Sequence, residues 1–315
     1  MITETYRHIR GFNFQPPWGS NGRDVWLRFD GAEYQRILEM AQKAFPKMNT
    51  VRVWLSFDAW LDDAEAALRN MKSAGEILKS LGLHMVPVYC NGWHSTPDFG
   101  GFTPEVLGAQ ENLNFEPYRT YVRETAAALE ETGAVLLQDI SNEPLNNFAG
   151  HEEHCARLHR FLTAMGEEIR SVSHKPITVG SQCSPMDIPG YGNDVDFLQD
   201  IEDVITLHPY SMWSGPLDTH KGYLHSVLDL CKPYDKPVII TECCWGAPTD
   251  EERGRIVDTE LKNYADAGIG FIVHALAPSP VADLHKEPYG NGGLNMPFMN
   301  ADGTIRKYHE CYNQY

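Results

Sequence analysis

The stretch AEAALRNMKSAGEILKSLGLHMVPVYC, residues 64–90, decides the fold class. Leu68, Met71, Ile77, Leu78 and Leu81 fall on one side of a 3.6-residue period, the pattern of a helix with a single buried face over 64–81. Gly82 follows, the residue type that most readily closes a helix. Residues 84–90 are then almost continuously apolar, as in a strand covered on both faces. A one-sided helix leading into a two-sided strand is half of a βαβ unit and predicts a parallel sheet.

The same alternation runs along the chain. Strand-like runs are expected at 8–14, 50–55, 84–90, 135–141, 177–181, 204–208, 238–241 and 269–275. Helical periods are expected at 64–81, 118–132, 154–172, 223–231 and 251–267. Gly133 stands before the fourth run and Gly268 before the eighth, and Pro237 opens the seventh after a turn-like Tyr234-Asp235-Lys236. Eight alternations favour a closed (β/α)₈ TIM barrel over an open doubly wound sheet. No GxGxxG follows the first run, which removes the main support for a dinucleotide fold. The 315 residues suit one such barrel of about 250 residues plus insertions, so residues 1–315 read as a single catalytic domain. Residues 277–304, rich in Pro, Gly and Asn, read as a long loop after strand eight, over the C-terminal face of the barrel.

Composition narrows the partners. Asp and Glu number 43 against 26 Lys and Arg, a formal charge of −17. That surface repels phosphate backbones and anionic lipid, so neither nucleic acid nor membrane is an expected partner. A small neutral carbohydrate is compatible with it. The oligomeric state is not readable. No segment approaches the ~18 apolar residues of a membrane span. The start, MITETYRHIRGFNF, lacks the basic-then-apolar pattern of a secretory leader. The seven cysteines (90, 155, 183, 231, 243, 244 and 311) are scattered without a CxxC pair, which reads as reduced thiols in a cytoplasm. His151-Glu152-Glu153-His154 is not HExxH, and no metal site is expected there or at Cys243-Cys244. No cofactor is called for.

Chemistry in such barrels sits where the strands end. Strand four ends Asn142-Glu143-Pro144 and strand seven ends Thr241-Glu242. Acetal hydrolysis needs a proton for the leaving oxygen and stabilisation of a cationic carbon, and two carboxyl groups of unequal pKa supply both. A gap of about 5–5.5 Å between them permits direct attack and retention of configuration.

These motifs resemble clan A glycoside hydrolases, most closely family 5. The resemblance implies a retaining β-glycosidase with Glu143 as general acid/base and Glu242 as nucleophile. It implies further that Asn142 contacts the 2-hydroxyl of the sugar and that Arg52, within Val51-Arg52-Val53-Trp54, contacts the nucleophile. His208-Pro209-Tyr210 meets the family's His-x-Tyr at strand six, where the Tyr210 phenol can donate to the same carboxylate. The chain departs at strand eight, where Phe271-Ile272-Val273-His274-Ala275 lacks the usual floor Trp. Trp213 or Trp245 is then expected as a substitute platform, with His274 as a polar contact. Trp93 and His94 after strand three are expected sugar contacts too, and Trp18 is a weaker candidate, since aromatic faces cover apolar sugar faces. The substrate is expected to be a short β-linked glycoside other than cellulose. The alternatives are a secreted endo-β-glycanase of the cellulase or mannanase type, a non-hydrolytic sugar-binding barrel, and a metal-dependent barrel hydrolase or lyase.

Overall fold

The computed structural model describes residues 2–91, 115–146, 148, 152–183, 188–280 and 296–315. Eight parallel strands form a closed barrel in the order β1 to β8. They are β1 Arg10–Asn13, β2 Thr50–Trp54, β3 His84–Asn91, β4 Gln138–Asn142, β5 Ile177–Ser181, β6 Ile205–Leu207, β7 Val238–Ile240 and β8 Phe271–Val273. Every expected run overlaps one of them, with β3 and β4 each extending one residue past the expected end. Among the described residues the helices are α1 Gly22–Leu27, α2 Gly31–Ala44, α3 Phe57–Asp62, α4 Ala64–Ser80, α5 Tyr118–Glu130, α6 Cys155–Val172, α7 Asp194–Leu198, α8 His220–Cys231 and α9 Asp250–Ala267.

Strand ends differ from expectation where hydrogen bonding changes hands. The first run shortens because the Ile9 amide turns back to Tyr6 O, and the eighth because Ala275 and Leu276 bond to Met296 O and Asn13 O. Four helices were not expected: α1, α2, α3 and α7. Of these, α2 buries Tyr34, Ile37, Leu38 and Ala41 at helical spacing, a pattern open to reading. The other three have five or six residues, too few for a period to stand out. Gly133 and Gly268 both adopt left-handed φ, at +65° and +64°, where a side chain would be strained.

The chain divides into two compact units. One comprises Met1–Ser20, Asp30–Arg52 and Leu207–Tyr315; the other comprises Asn21–Phe29 and Val53–Thr206. In the first, β1 lies between β2 and β8, with Phe12 opposite Val51 and Val273 and Asn13 opposite Arg52. Successive side chains alternate across a sheet. Phe12 accordingly joins an aromatic cluster with Phe45, Phe298 and Tyr312 at centroid distances of 4.8, 5.4 and 4.6 Å. Asn13 points the other way, into the polar group described below. Helix α9 is started by Thr249, whose side chain accepts from the Glu252 amide, and carries Asp250, Glu251 and Glu252 in its first turn, where the helix dipole favours acids.

In the second unit, β4 pairs with β3 in even register, Asn91 opposite Asn142. Against β5 the register slips between Asp139 and Asn142, which stand opposite Thr178 and Gly180. The extra residue falls just before Glu143, and such irregularities re-aim the following side chain. Phe57 stacks on Tyr118 at 4.0 Å, and Tyr118 meets Phe161 edge-on at 5.2 Å, joining α3, α5 and α6. Among the described residues no helix is long and apolar enough to cross a membrane.

Candidate active site

Glu242 follows β7 by two residues and is 6% exposed. A buried carboxylate is costly unless paired and hydrogen-bonded. Both of its oxygens are engaged. Arg52 Nη1 donates to Oε1 at 2.6 Å, and the Tyr210 hydroxyl donates to Oε2 at 2.7 Å. Two donors on separate oxygens fix the plane of the carboxylate as well as its position. Arg52, 0% exposed, also donates to Asn13 Oδ1 at 3.1 Å. The Asn13 amide group donates in turn to Thr241 O at 2.9 Å and Val273 O at 3.2 Å. The chain from β1 through Arg52 thereby holds both the side chain of Glu242 and the backbone that precedes it.

His208 sits beneath this group, fully buried, with Nε2 3.1 Å from Thr241 Oγ1. Burial lowers its pKa to about 3; the Glu242 charge opposes that shift and Arg52 adds to it. Its Nδ1 lies 3.8 Å from Glu242 Oε2. A neutral imidazole at that distance forms no ion pair, so His208 shapes the site without adding charge.

The aromatic candidates separate. Trp245 is half-buried, with its ring 5.2 Å from that of Tyr210 at 83°. Trp213 lies in a single 3₁₀ turn and is 59% exposed. Trp18 packs edge-on near Tyr34 at 6.5 Å. His274 is half-buried at the end of β8; its amide donates to Cys243 O and its carbonyl accepts from Arg253 Nη2 at 2.6 Å. Of the two expected substitutes for the missing strand-eight Trp, Trp245 brings its ring against that of Tyr210, while Trp213 reaches Tyr210 through its amide, which donates to Tyr210 O at 3.0 Å.

Glu143 and Asn142 belong to the second unit. Asn142 is 6% exposed and donates through Nδ2 to Asn91 Oδ1 at 3.2 Å. Glu143 is half-buried, and its amide donates to Gly180 O at 2.9 Å. Asn146 Nδ2 donates to Glu143 Oε2. The backbone of Glu143 has φ +44°, an uncommon region for a residue with a long side chain and one often met at functional positions. Trp93, His94 and His151 lie outside the described residues, as does most of the expected loop after strand eight.

Three contributors escaped the sequence reading as site residues. Asn13 was visible only as a polar strand end. Arg253 and Glu260, both on α9 and both 0% exposed, stand in the same stripe as Val257, Leu261 and Tyr264. Two charges in an apolar helical stripe are the signal that could have found them. Arg253 donates to Trp245 O at 2.5 Å and to Met296 O at 2.9 Å, besides His274 O, and so ties the segments after β7 and β8 together.

Cys243, Cys244 and Glu260 offer ligand atoms within 4.8 Å of one another. Their chemistry fits a metal poorly. Burial pushes both thiol pKa values up, which disfavours the thiolate that would bind. The Glu260 carboxylate already accepts from the Cys244 and Ser211 amides and from the Tyr264 hydroxyl.

No protein-family model matches the sequence, and no curated protein does. Solved structures do resemble it. An exo-beta-1,4-mannosidase from Opitutaceae bacterium strain TAV5 superposes with a TM-score of 0.74 at 19% identity, over 96% of this chain and 58% of that one. The chain thus spans somewhat more than half the length of that mannosidase. A GH5_18 protein from Streptomyces cattleya, in complex with Manb1-4GlcNAc, gives 0.72 at 17% identity over 97% and 80% of the two chains. An endo-beta-1,4-mannanase from Thermotoga petrophila gives 0.67 at 16% identity over 100% and 77%. At these identities the likeness is one of fold: the chain has a (β/α)₈ barrel like theirs.

Proposed function

We propose that this chain is a retaining β-glycosidase, with Glu242 as nucleophile, Glu143 as general acid/base and a short β-mannoside as substrate. The observation that carries the reading is the grip on Glu242: a buried carboxylate at the end of β7, held on one oxygen by Arg52 and on the other by Tyr210. An anchored carboxylate flanked by a permanent cation is suited to attack a sugar's anomeric carbon and to leave again. Glu143 directly follows β4, whose last residue is Asn142, and so stands at a strand end as Glu242 does.

In the first step Glu143 gives its proton to the leaving oxygen while Glu242 bonds to the anomeric carbon. In the second Glu143 takes a proton from water, the water attacks that carbon, and the Glu242 carboxylate is released. Arg52 and Tyr210 steady Glu242 throughout, and Asn142 holds the 2-hydroxyl. Neither step calls for a metal or cofactor. Fold neighbours described as a mannosidase and a mannanase, and a third in complex with Manb1-4GlcNAc, favour a mannoside, and the departure from the family's usual Trp at strand eight argues against plain cellulose. The seven free cysteines favour a reducing compartment, and hence imported short glycosides.

The test is a panel of 2-deoxy-2-fluoro glycosides read by intact mass. A β-mannosyl reagent should label the protein once, and Glu242→Gln should abolish the label. Glu143→Ala should slow substrates with poor leaving groups far more than activated aryl glycosides, with partial rescue by azide. Equal loss on both kinds of leaving group would contradict the acid/base assignment, and labelling of the Glu242→Gln protein would remove the nucleophile.

A further inference from the structure

Two turns surround the proposed nucleophile: the one after β6, which carries Tyr210, and the one after β7, which carries Glu242 itself. Both end on a single carboxylate of α9. Glu260 is 0% exposed. Its Oε1 accepts from the Ser211 amide at 2.7 Å, one residue past Tyr210. Its Oε2 accepts from the Cys244 amide at 2.6 Å, two residues past Glu242, and from the Tyr264 hydroxyl at 3.1 Å. Cys244 has φ +65°, a left-handed conformation that a non-glycine residue keeps only when its surroundings impose it. A charge-assisted hydrogen bond to its amide is such an imposition.

The neighbouring side chains reinforce the same turn. The Tyr264 hydroxyl lies 3.3 Å from Pro209 O, and His220 Nε2 lies 3.0 Å from the same oxygen. His220 Nδ1 meets Asn263 Nδ2 at 3.0 Å. Glu260 differs from these in reaching both turns at once.

We propose that Glu260 is a positioning residue for the glycosidase reaction: it sets the distance between the Tyr210 hydroxyl and the Glu242 carboxylate by tying their two turns to one anchor. This rests on the function proposed above. A carboxylate is required because every partner donates. Glutamine in its place presents an N–H₂ to one of the two amides, so one turn must move away. Misplacements of about 1 Å near reacting groups cost on the order of 100-fold in rate.

The experiment pairs Glu260→Gln with Glu260→Asp and reads two quantities. The first is amide hydrogen exchange in peptides covering 205–214 and 238–247, with wild-type protein as reference. The second is kcat and KM on an activated aryl β-mannoside, alone and combined with Tyr210→Phe. Expected are faster exchange in both peptides for Glu260→Gln, and a kcat lower by roughly 10- to 100-fold with KM within about threefold. Glu260→Asp keeps the acceptor and should recover part of the rate. In the Tyr210→Phe background the Glu260→Gln penalty should shrink by roughly 4- to 12-fold, the part that acts through the shared contact. Should Glu260→Gln fail to fold, Glu260→Asp carries the same comparison, with slower kcat and faster exchange expected.

Unchanged exchange in both peptides overturns the tether. Faster exchange with unchanged kcat, or a penalty that adds in full to that of Tyr210→Phe, overturns the positioning role. A wild-type protein that turns over no glycoside ends the function proposed above and the catalytic half of this inference, while exchange still decides whether Glu260 holds the two turns.

Discussion

Replacing Tyr210 with Phe removes one hydroxyl and nothing else of consequence. Tyr210 is 2% exposed, and its hydroxyl donates at 2.7 Å to a carboxylate that is 6% exposed. Hydrogen bonds to charged groups contribute about 1.5–3 kcal/mol. In the first chemical step Glu242 gives up its negative charge to a new bond, so losing the donor does not oppose that step electrostatically. In the second step the bond breaks and the charge returns, so the missing donor is felt there. With roughly half of the charge restored at the transition state, the penalty is about 0.8–1.5 kcal/mol, or roughly 4- to 12-fold. Full restoration sets a ceiling of roughly 150-fold. The expected result is selective slowing of deglycosylation. Rapid-quench kinetics on an activated aryl β-mannoside should show a burst of aryl product, and intact mass should show accumulated glycosyl-enzyme. Equal slowing of both steps, or a steady state without an accumulated adduct, would refute the claim that this hydroxyl serves the returning charge.

Other consequences follow from the same geometry. Arg52→Met leaves the buried Glu242 carboxylate without its cation and Asn13 Oδ1 without its donor; the expected loss is about 3–5 kcal/mol in urea unfolding, and a loss below about 1 kcal/mol would contradict the pairing. His208 and His309 are buried, with pKa values lowered to about 3 and about 4. An unfolded histidine takes up its proton near pH 6.5, so the unfolded chain binds protons that the folded one refuses, and stability falls as pH drops below about 6.5. Each histidine should approach a slope of about 1.4 kcal/mol per pH unit below that point. His309→Gln should lessen the slope between pH 6 and 5, and an unchanged slope would show that His309 protonates freely in the folded state. Trp245→Ala should raise KM for a β-mannoside roughly fivefold, the equivalent of about 1 kcal/mol of aromatic contact, while Trp213→Ala should leave it within about twofold. The reverse order would make Trp213 the platform.

The sequence by itself determined the barrel and the proposed acids. Helical and strand periods are short-range properties, set by which side chains must meet water within a few residues, and eight alternations leave few ways to close a parallel sheet. The motifs at Arg52, Asn142-Glu143, His208-Pro209-Tyr210 and Glu242 were legible because barrel chemistry gathers at strand ends. What only the tertiary structure decided is which groups touch. Arg52 and Glu242 are 190 residues apart in the chain, and no local period carries their 2.6 Å contact. The choice between Trp245 and Trp213 depended on how the turns after β6 and β7 fold back. Asn13, Arg253 and Glu260 gained their roles from backbone carbonyls and amides of distant turns, groups that every residue possesses and that no sequence pattern distinguishes.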